Sequence, residues 1–253
     1  MNVRDIQVNE RWREQEMMST KCGTTQPNSF IFSDETKQLL LGMMTTQVYP
    51  KASIVCWEGE KCDKFFYIKS GSVKFTKITK KGNPLVMFLF GSDDFFGEFD
   101  IVESYPSSYS IETTEESVIG TLSKQELETL MQQDIRFAGE IIRWTSMMRK
   151  HSEMKVRDLL LYGKPGALAS TLLRMAAMHG VEEDGAIVIP RHPSDGELGQ
   201  LIGAPRETVN RLMSQWRKDG VLTTSSNTIA IHDLEFLKEL CHCEGCPAGI
   251  CRL

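Results

Sequence analysis

Ser194-Asp195-Gly196-Glu197-Leu198-Gly199-Gln200-Leu201-Ile202-Gly203-Ala204-Pro205-Arg206-Glu207-Thr208-Val209-Asn210-Arg211-Leu212-Met213-Ser214-Gln215-Trp216 is the stretch that decides the fold. A serine followed three residues later by glutamate is a capping box, so a helix is expected to begin at Ser194. Leu198, Leu201 and Ile202 form its apolar face. Gly203-Ala204 makes a turn, and Pro205 suits the first position of a second helix, where a missing N–H costs nothing. Val209, Leu212, Met213 and Trp216 then recur at i, i+3, i+4 and i+7, and Gly220 ends the run. The opposite face carries Arg206, Glu207, Asn210, Arg211 and Ser214, crowded toward the leading end. Such a helix-turn-helix places base-contacting side chains there. The plain alternative is a solvated charged face on a small helical domain, which the two arginines and the glutamate disfavour. Thr223-Thr224 and Thr228-Ile229-Ala230-Ile231, around Ser225-Ser226-Asn227, read as a two-stranded wing.

Upstream the texture changes twice. Residues 1–29 carry mixed charge and little periodicity and read as a tail. Residues 30–133 hold short strands such as Lys64-Phe65-Phe66-Tyr67-Ile68, Gly71-Ser72-Val73-Lys74-Phe75 and Leu85-Val86-Met87-Phe88-Leu89-Phe90, broken by glycine turns. That spacing predicts a β-sandwich, barrel or roll. Residues 134–162 predict one long helix, with apolar Phe137, Ile141, Ile142, Trp144, Met148, Val156, Leu159 and Leu160 on more than one face. More than one apolar face implies a partner surface as well as a packing surface. Gly163-Lys164-Pro165-Gly166 reads as the linker to a mostly helical domain over 163–240.

The 253 residues carry a formal net charge of −5, so any attraction to nucleic acid must come from a local basic face. No apolar run is long enough for a membrane span, and Met1 to Gln15 has no signal-peptide core. The expected compartment is the cytoplasm, where seven cysteines argue for metal or redox chemistry and against structural disulfides.

Four of the seven lie in residues 241–253, in Cys241-His242-Cys243-Glu244-Gly245-Cys246-Pro247-Ala248-Gly249-Ile250-Cys251. Cys243, Cys246 and Cys251 form a C-x2-C-x4-C run on a Gly/Pro loop, so their thiolates can face one centre. Spacing alone leaves an iron–sulfur cluster, a structural zinc and unliganded thiols all open. Cys56 and Cys62 read as packing or incidental thiols, and Cys22 stands alone. On its residues alone, Asp158 in Val156-Arg157-Asp158-Leu159-Leu160 reads as a solvated helix carboxylate.

Glu197-Leu198-Gly199 through Pro205-Arg206-Glu207-Thr208-Val209-Asn210-Arg211 resembles the helix-turn-helix of the CRP/FNR transcription regulators. Glu58-Gly59-Glu60, Phe66-Tyr67-Ile68, Gly71-Ser72-Val73 and Phe96-Gly97-Glu98 resemble that family's cyclic-nucleotide-binding-type sensor. The resemblance covers about residues 30–240. It implies an α+β chain: an N-terminal β-roll, a long dimerisation helix and a C-terminal winged helix-turn-helix. It also implies a homodimer on double-stranded DNA, with RNA polymerase as a partner, and no enzyme.

Nucleotide-binding members follow the Gly-Glu pair with an Arg-Ser or Arg-Thr step that holds the cyclic phosphate. Here Tyr105-Pro106-Ser107-Ser108-Tyr109 stands there, with Ser108 at the arginine position and no basic residue between Glu98 and Lys124. Glu103, Glu112, Glu115 and Glu116 would repel an anion, so no cyclic nucleotide is expected; an uncharged ligand stays open. The tail is similar to the Gram-positive FNR branch, which senses oxygen through a C-terminal [4Fe–4S] cluster. That likeness implies one cluster per subunit on Cys243, Cys246 and Cys251, with Asp158 as fourth ligand. The implied function is oxygen-responsive control of anaerobic metabolism. Arg206, Glu207 and Arg211 match the nucleotide-responsive regulators, which implies a TGTGA-like palindrome. The alternative is a regulator of the same fold gated by a small ligand or thiol oxidation, with zinc or no metal at the tail.

Overall fold

A computed structural model describes residues 26–80, 82–97, 106–190, 193–247 and 249–253. Cys22, Glu98, Glu103, Tyr105 and most of the N-terminal tail lie outside the described residues. A short 3-10 turn over Asn28–Ile31 leads into α1 (Asp34–Met43). The roll follows as β1 (Thr45–Tyr49), β2 (Ile54–Cys56), β3 (Lys64–Ser70), β4 (Val73–Ile78), β5 (Pro84–Phe90), β6 (Phe95–Phe96), β7 (Ser110–Thr113) and β8 (Ser117–Ser123). These pair antiparallel in two four-stranded sheets, ordered β1-β8-β3-β6 and β2-β7-β4-β5.

Strand β3 explains why the sheets stack as they do. Side chains alternate across a strand, and here both faces are apolar. Phe66 and Ile68 enter the core between the sheets, with Val73, Phe75, Phe90 and Phe96. Phe65 and Tyr67 face the other way, toward Phe137, Ile141 and Trp144 of a covering helix. Phe66 stacks on Phe96 at 4.7 Å and Phe65 on Phe95 at 5.1 Å, so the β3–β6 pair is built twice, by backbone and by rings.

After α2 (Lys124–Gln133) the chain turns at Asp134, whose carboxylate accepts from Arg136 N and caps α3 (Ile135–Leu160). Phe137, Ile141 and Trp144 bury one face of α3 on the roll, while Ile135, Ile142, Val156 and Leu160 remain 84%, 61%, 48% and 75% exposed. The expected linker at 163–166 is instead the first turn of α4 (Gly163–His179). Proline is tolerated in a first turn because the N–H it lacks has no helical acceptor there. The chain reverses at Leu161–Tyr162, and α3 packs directly against α4.

The second domain continues with β9 (Val181–Glu183), β10 (Ala186–Ile189), α5 (Asp195–Ile202), α6 (Arg206–Lys218), β11 (Leu222–Thr224), β12 (Ile229–Ile231) and α7 (Leu234–Leu240). The expected wing is present, as half of a four-stranded sheet ordered β11-β12-β10-β9. Ser194 and Glu197 form both bonds of the capping box. Gly203 takes the left-handed conformation at φ 61° that ends α5, and Pro205 serves as N-cap of α6 rather than its first residue. Val209, Met213 and Trp216 are buried with Leu198, Ile202, Leu168 and Leu172. Val86 and Leu89 of β5 share that core, so roll and reader are packed against each other. No helix among the described residues is long and apolar enough to cross a membrane.

The C-terminal residues fold back across this junction. Gly249 O accepts from His151 Nε2 of α3 at 3.1 Å, and Leu253 O accepts from Leu89 N of β5 at 3.3 Å. A Cβ on Gly249 would meet the end of the Phe30 ring at 2.7 Å, so a larger residue at this crossing requires the ring to move. Burial lowers the His151 pKa from 6.5 to about 4, with Arg252 and Arg174 opposing protonation as well. A histidine depressed in the fold binds its proton more readily when unfolded. Its contribution is therefore intact above pH 6.5 and is lost as pH falls toward 4. Urea unfolding should show stability falling by about 1.4 kcal/mol per pH unit within that window from this residue alone. His151→Gln should flatten the slope, and an unchanged slope would reject this source of acid sensitivity.

Candidate DNA-reading face and cysteine-bearing tail

The capped α5, the left-handed Gly203 and the Pro205 cap aim α6 outward. Arg206, Glu207, Asn210 and Arg211 are all exposed on it, at the leading end where the sequence put them. Asn210 Nδ2 donates to Asp195 Oδ2 at 2.8 Å, which orients its amide before any base arrives. Arg217 donates to Ser214 Oγ at 2.8 Å and to Thr224 Oγ1 at 3.1 Å, tying wing to reading helix. Two lysines brace the reader from behind. Lys155 of α3 donates to Leu201 O at 2.7 Å, and Lys164 of α4 to Ile202 O at 2.9 Å. Both satisfy carbonyls at the end of α5 that have no helical donor. Burial lowers the Lys155 pKa to about 8.

The tail leaves α7 at Cys241, which is buried in the reader's apolar core. Its Sγ donates to Lys238 O at 3.7 Å. Burial, then Cys243 and Asp158, push this thiol up to about 11, so it stays protonated. His242, at φ 47°, stacks on Tyr162 at 4.9 Å. Cys243 is exposed, while Cys246 and Cys251 are half-buried. Cys251 donates its S–H to Cys246, and that bond, with Arg174 and Arg157 nearby, holds the Cys246 thiol well below its ordinary value. The same bond and burial push Cys251 up.

Asp158 is not solvated, contrary to what its residues alone suggested. It is 4% exposed. Oδ2 accepts from Arg174 at 2.7 Å and from Ser170 Oγ at 2.5 Å; Oδ1 accepts from Arg157 Nη2 at 3.1 Å. Arg157 also pairs with Glu244 of the tail at 3.2 Å, and Arg174 donates to Arg252 O at 3.2 Å. Asp158 and the tail of the same chain are therefore joined through two guanidiniums. Arg157 and Arg174 escaped the sequence reading. An arginine inside Ala167-Leu168-Ala169-Ser170-Thr171-Leu172-Leu173-Arg174-Met175-Ala176 was the available signal, since a charge in a small apolar run must be paired.

No three His, Cys, Asp or Glu side chains among the described residues converge as a single metal ion requires. A cluster asks for a different arrangement, because each thiolate takes a different iron. The donor types suit one: three thiols on one short loop, Asp158 joined to that loop through Arg157 and Arg174, and two guanidiniums to offset the negative charge such a centre carries. Cys241 lies instead in the reader's apolar core.

In the roll, Ser107 Oγ donates to Tyr109 O, and Ser108 O accepts from Lys77 Nζ at 2.9 Å. Lys77 reaches Ser108 from β4, a neighbour that chain order does not reveal, but it already pairs with Glu58 at 2.8 Å. Beside them a cavity of about 230 Å³ is walled by Phe75, Phe88, Phe90, Phe96 and Tyr109. The charged residue in its lining, Arg149, is paired with Glu153.

Residues 46–134 match the family described as the cyclic nucleotide-binding domain, and residues 166–240 match the Crp-like helix-turn-helix domain. The Anaerobic regulatory protein of Bacillus subtilis (strain 168) is 30% identical over 228 residues, covering 89% of this chain and 96% of that protein. The CRP-like cAMP-activated global transcriptional regulator of Mycobacterium tuberculosis (strain ATCC 25618 / H37Rv) is 27% identical over 189 residues, covering 75% of this chain and 84% of its own. Among solved structures, a CooA mutant from Carboxydothermus hydrogenoformans superposes with a TM-score of 0.71 at 19% identity, covering 87% of this chain and 98% of that one. The c-di-GMP responsive global regulator CLP of Xanthomonas campestris gives 0.67 at 22% identity, over 79% and 99%. With its roll, long helix and winged helix-turn-helix, the chain belongs to the CRP/FNR family: it is a DNA-binding transcription regulator and not an enzyme, from a family whose members act as dimers.

Proposed function

We propose that this chain is a homodimeric, oxygen-responsive regulator of anaerobic metabolism. In this reading it holds one [4Fe–4S] cluster per subunit on Cys243, Cys246, Cys251 and Asp158, and acts on promoters with RNA polymerase. The observation that carries the reading is the junction of the tail with Asp158 in one chain, through Arg157 and Arg174. The likeness to the Bacillus subtilis Anaerobic regulatory protein points the same way. A bound cluster would supply the oxygen sensitivity. What the chain's own residues do is tie the loop that follows the reader to the end of α3. For dimerisation, Ile135, Ile142 and Val156 recur at multiples of seven, and with Leu160 they leave an exposed apolar stripe along α3. The aromatic cavity in the roll favours a second reading, a regulator of the same fold gated by a small uncharged ligand, with zinc or no metal at the tail.

Purification without oxygen separates the two. The proposed protein is brown and loses its visible absorbance in air; a colourless protein with stoichiometric zinc supports the second reading. Cys243→Ala, Cys246→Ala and Cys251→Ala should each abolish iron binding and oxygen-controlled DNA binding, while Cys241→Ala should keep its iron. Asp158→Ala needs its unfolding measured too, because it also strands Arg174. Full iron with normal oxygen control in that variant would remove Asp158 from the ligand set.

On DNA, Arg206 and Arg211 suit guanine O6 and N7, and Glu207 suits cytosine N4. A TGTGA-like palindrome follows, in preference to TTGAT. Arg206→Ala should cost about 1–3 kcal/mol in binding and relax selectivity at one position, read by competition between the two site types. Equal affinity of the unaltered protein for both sites would reject the assignment.

A further inference from the structure

Cys251 and Arg252 are adjacent, yet they are attached to different parts of the molecule. Cys251 is held within the tail, its N–H donating to Pro247 O at 2.9 Å and its S–H to Cys246. Arg252 sends its side chain into the roll, where Nη1 donates to Asp94 Oδ1 at 2.7 Å and to Gln26 O at 3.0 Å. Nη2 donates to the second oxygen of Asp94. Arg252 is 7% exposed and Asp94 is fully buried. The roll and the 3-10 turn before it hold Asp94 in place, since the carboxylate also accepts from Gly91 N at 2.9 Å and Asn28 N at 2.7 Å. On its other side, Arg252 is held through its carbonyl by Arg174, the residue that anchors Asp158.

A two-point guanidinium–carboxylate pair fixes direction as well as distance. A buried pair also resists opening, because either charge left alone in the interior is strongly unfavourable. The other two thiols are attached elsewhere: Cys243 N donates to Lys238 O of α7 at 2.9 Å, so Cys243 and the Cys246 that follows it start from the reader domain. We propose that Arg252 is a positioning residue: fastened to Asp94, it sets where Cys251 lies, so the roll fixes one corner of the thiol site and the reader domain fixes the others. This rests on the reading of Cys251 as a cluster ligand. A centre formed across these thiols would add a further link between reader and roll to the Cys251–Cys246 hydrogen bond.

The first measurement uses the metal-free full chain. Each cysteine's alkylation rate by iodoacetamide is read by mass spectrometry in the unaltered protein and in Arg252→Gln, Arg252→Lys and Asp94→Asn. Cys251 should react at least about tenfold faster in Arg252→Gln and Asp94→Asn, through local opening of the tail end. Arg252→Lys, which keeps the charge and loses the two-point geometry, should fall between. Cys243 is already exposed and should not change. The second measurement is iron retained after anaerobic reconstitution, which should fall in Arg252→Gln. An unchanged Cys251 rate in Arg252→Gln overturns the proposal. So does equal acceleration at Cys56, Cys243 and Cys251 with a lowered Tm, which marks general loosening. Because Asp94→Asn also disturbs the roll's own bonds, Arg252→Gln decides if that variant fails to fold. Should the unaltered protein take up no iron while Cys251 still depends on Arg252, the cluster assignment falls and the positioning role stands.

Discussion

Arg174 is a charged residue in a helix that is otherwise small and apolar, and its burial organises the middle of the molecule. A guanidinium taken out of water needs its donors satisfied. Arg174 meets that demand with Asp158 of the long helix, Ser170 of its own helix and two carbonyls of the C-terminal tail. Two consecutive helices and a tail 76 positions further on are thereby obliged to meet. Asp158 in turn takes Arg157, which reaches Glu244, so the tail is gripped at both ends of its loop. The tail's last arginine repeats the device against Asp94 in the roll. Remove Asp158 from such a chain and Arg174 is left as a buried charge without its carboxylate.

This arrangement couples the parts a regulator has to couple. The DNA-reading helix is aimed by α5, and the end of α5 is held by Lys155 and Lys164, which belong to the long helix and the helix after it. Val86 and Leu89 of the roll share the reader's apolar core. The tail is therefore bonded to both neighbours, to the long helix through Arg174 and to the roll through Arg252. The formal charge of −5 does not prevent DNA binding, because Arg206 and Arg211 stand exposed on one helix face.

Much of this was legible from local rules. Capping box, left-handed glycine and apolar periodicity placed both helices of the reader, because each depends on residues within one or two turns. The β-roll was legible from short apolar strands between glycine turns. Two local readings failed for reasons of context. Gly163-Lys164-Pro165-Gly166 has the composition of a linker, yet α4 starts there, because its apolar face packs on α3 and α7 and a first turn accommodates proline. Gly166 even permits the contact, since a Cβ there would stand 3.0 Å from Leu240 O. Asp158 has the sequence neighbourhood of a surface carboxylate, yet Arg174, sixteen positions later in the chain, buries it.

Local sequence rules were enough for the strands of the roll, the long helix, both helices of the reader, the face of α6 that carries Arg206, Glu207, Asn210 and Arg211, and the three-cysteine spacing of the tail. These are properties of neighbours along the chain, where periodicity and capping act. Only the tertiary structure decided that Cys241 is a core thiol, that Asp158 is a buried partner of two arginines, and that Arg252 ends in the roll on Asp94. Those outcomes depend on which charges are left without water once the domains close on each other. Pairing across 158 positions of chain, as between Asp94 and Arg252, leaves no local signature for a sequence to show.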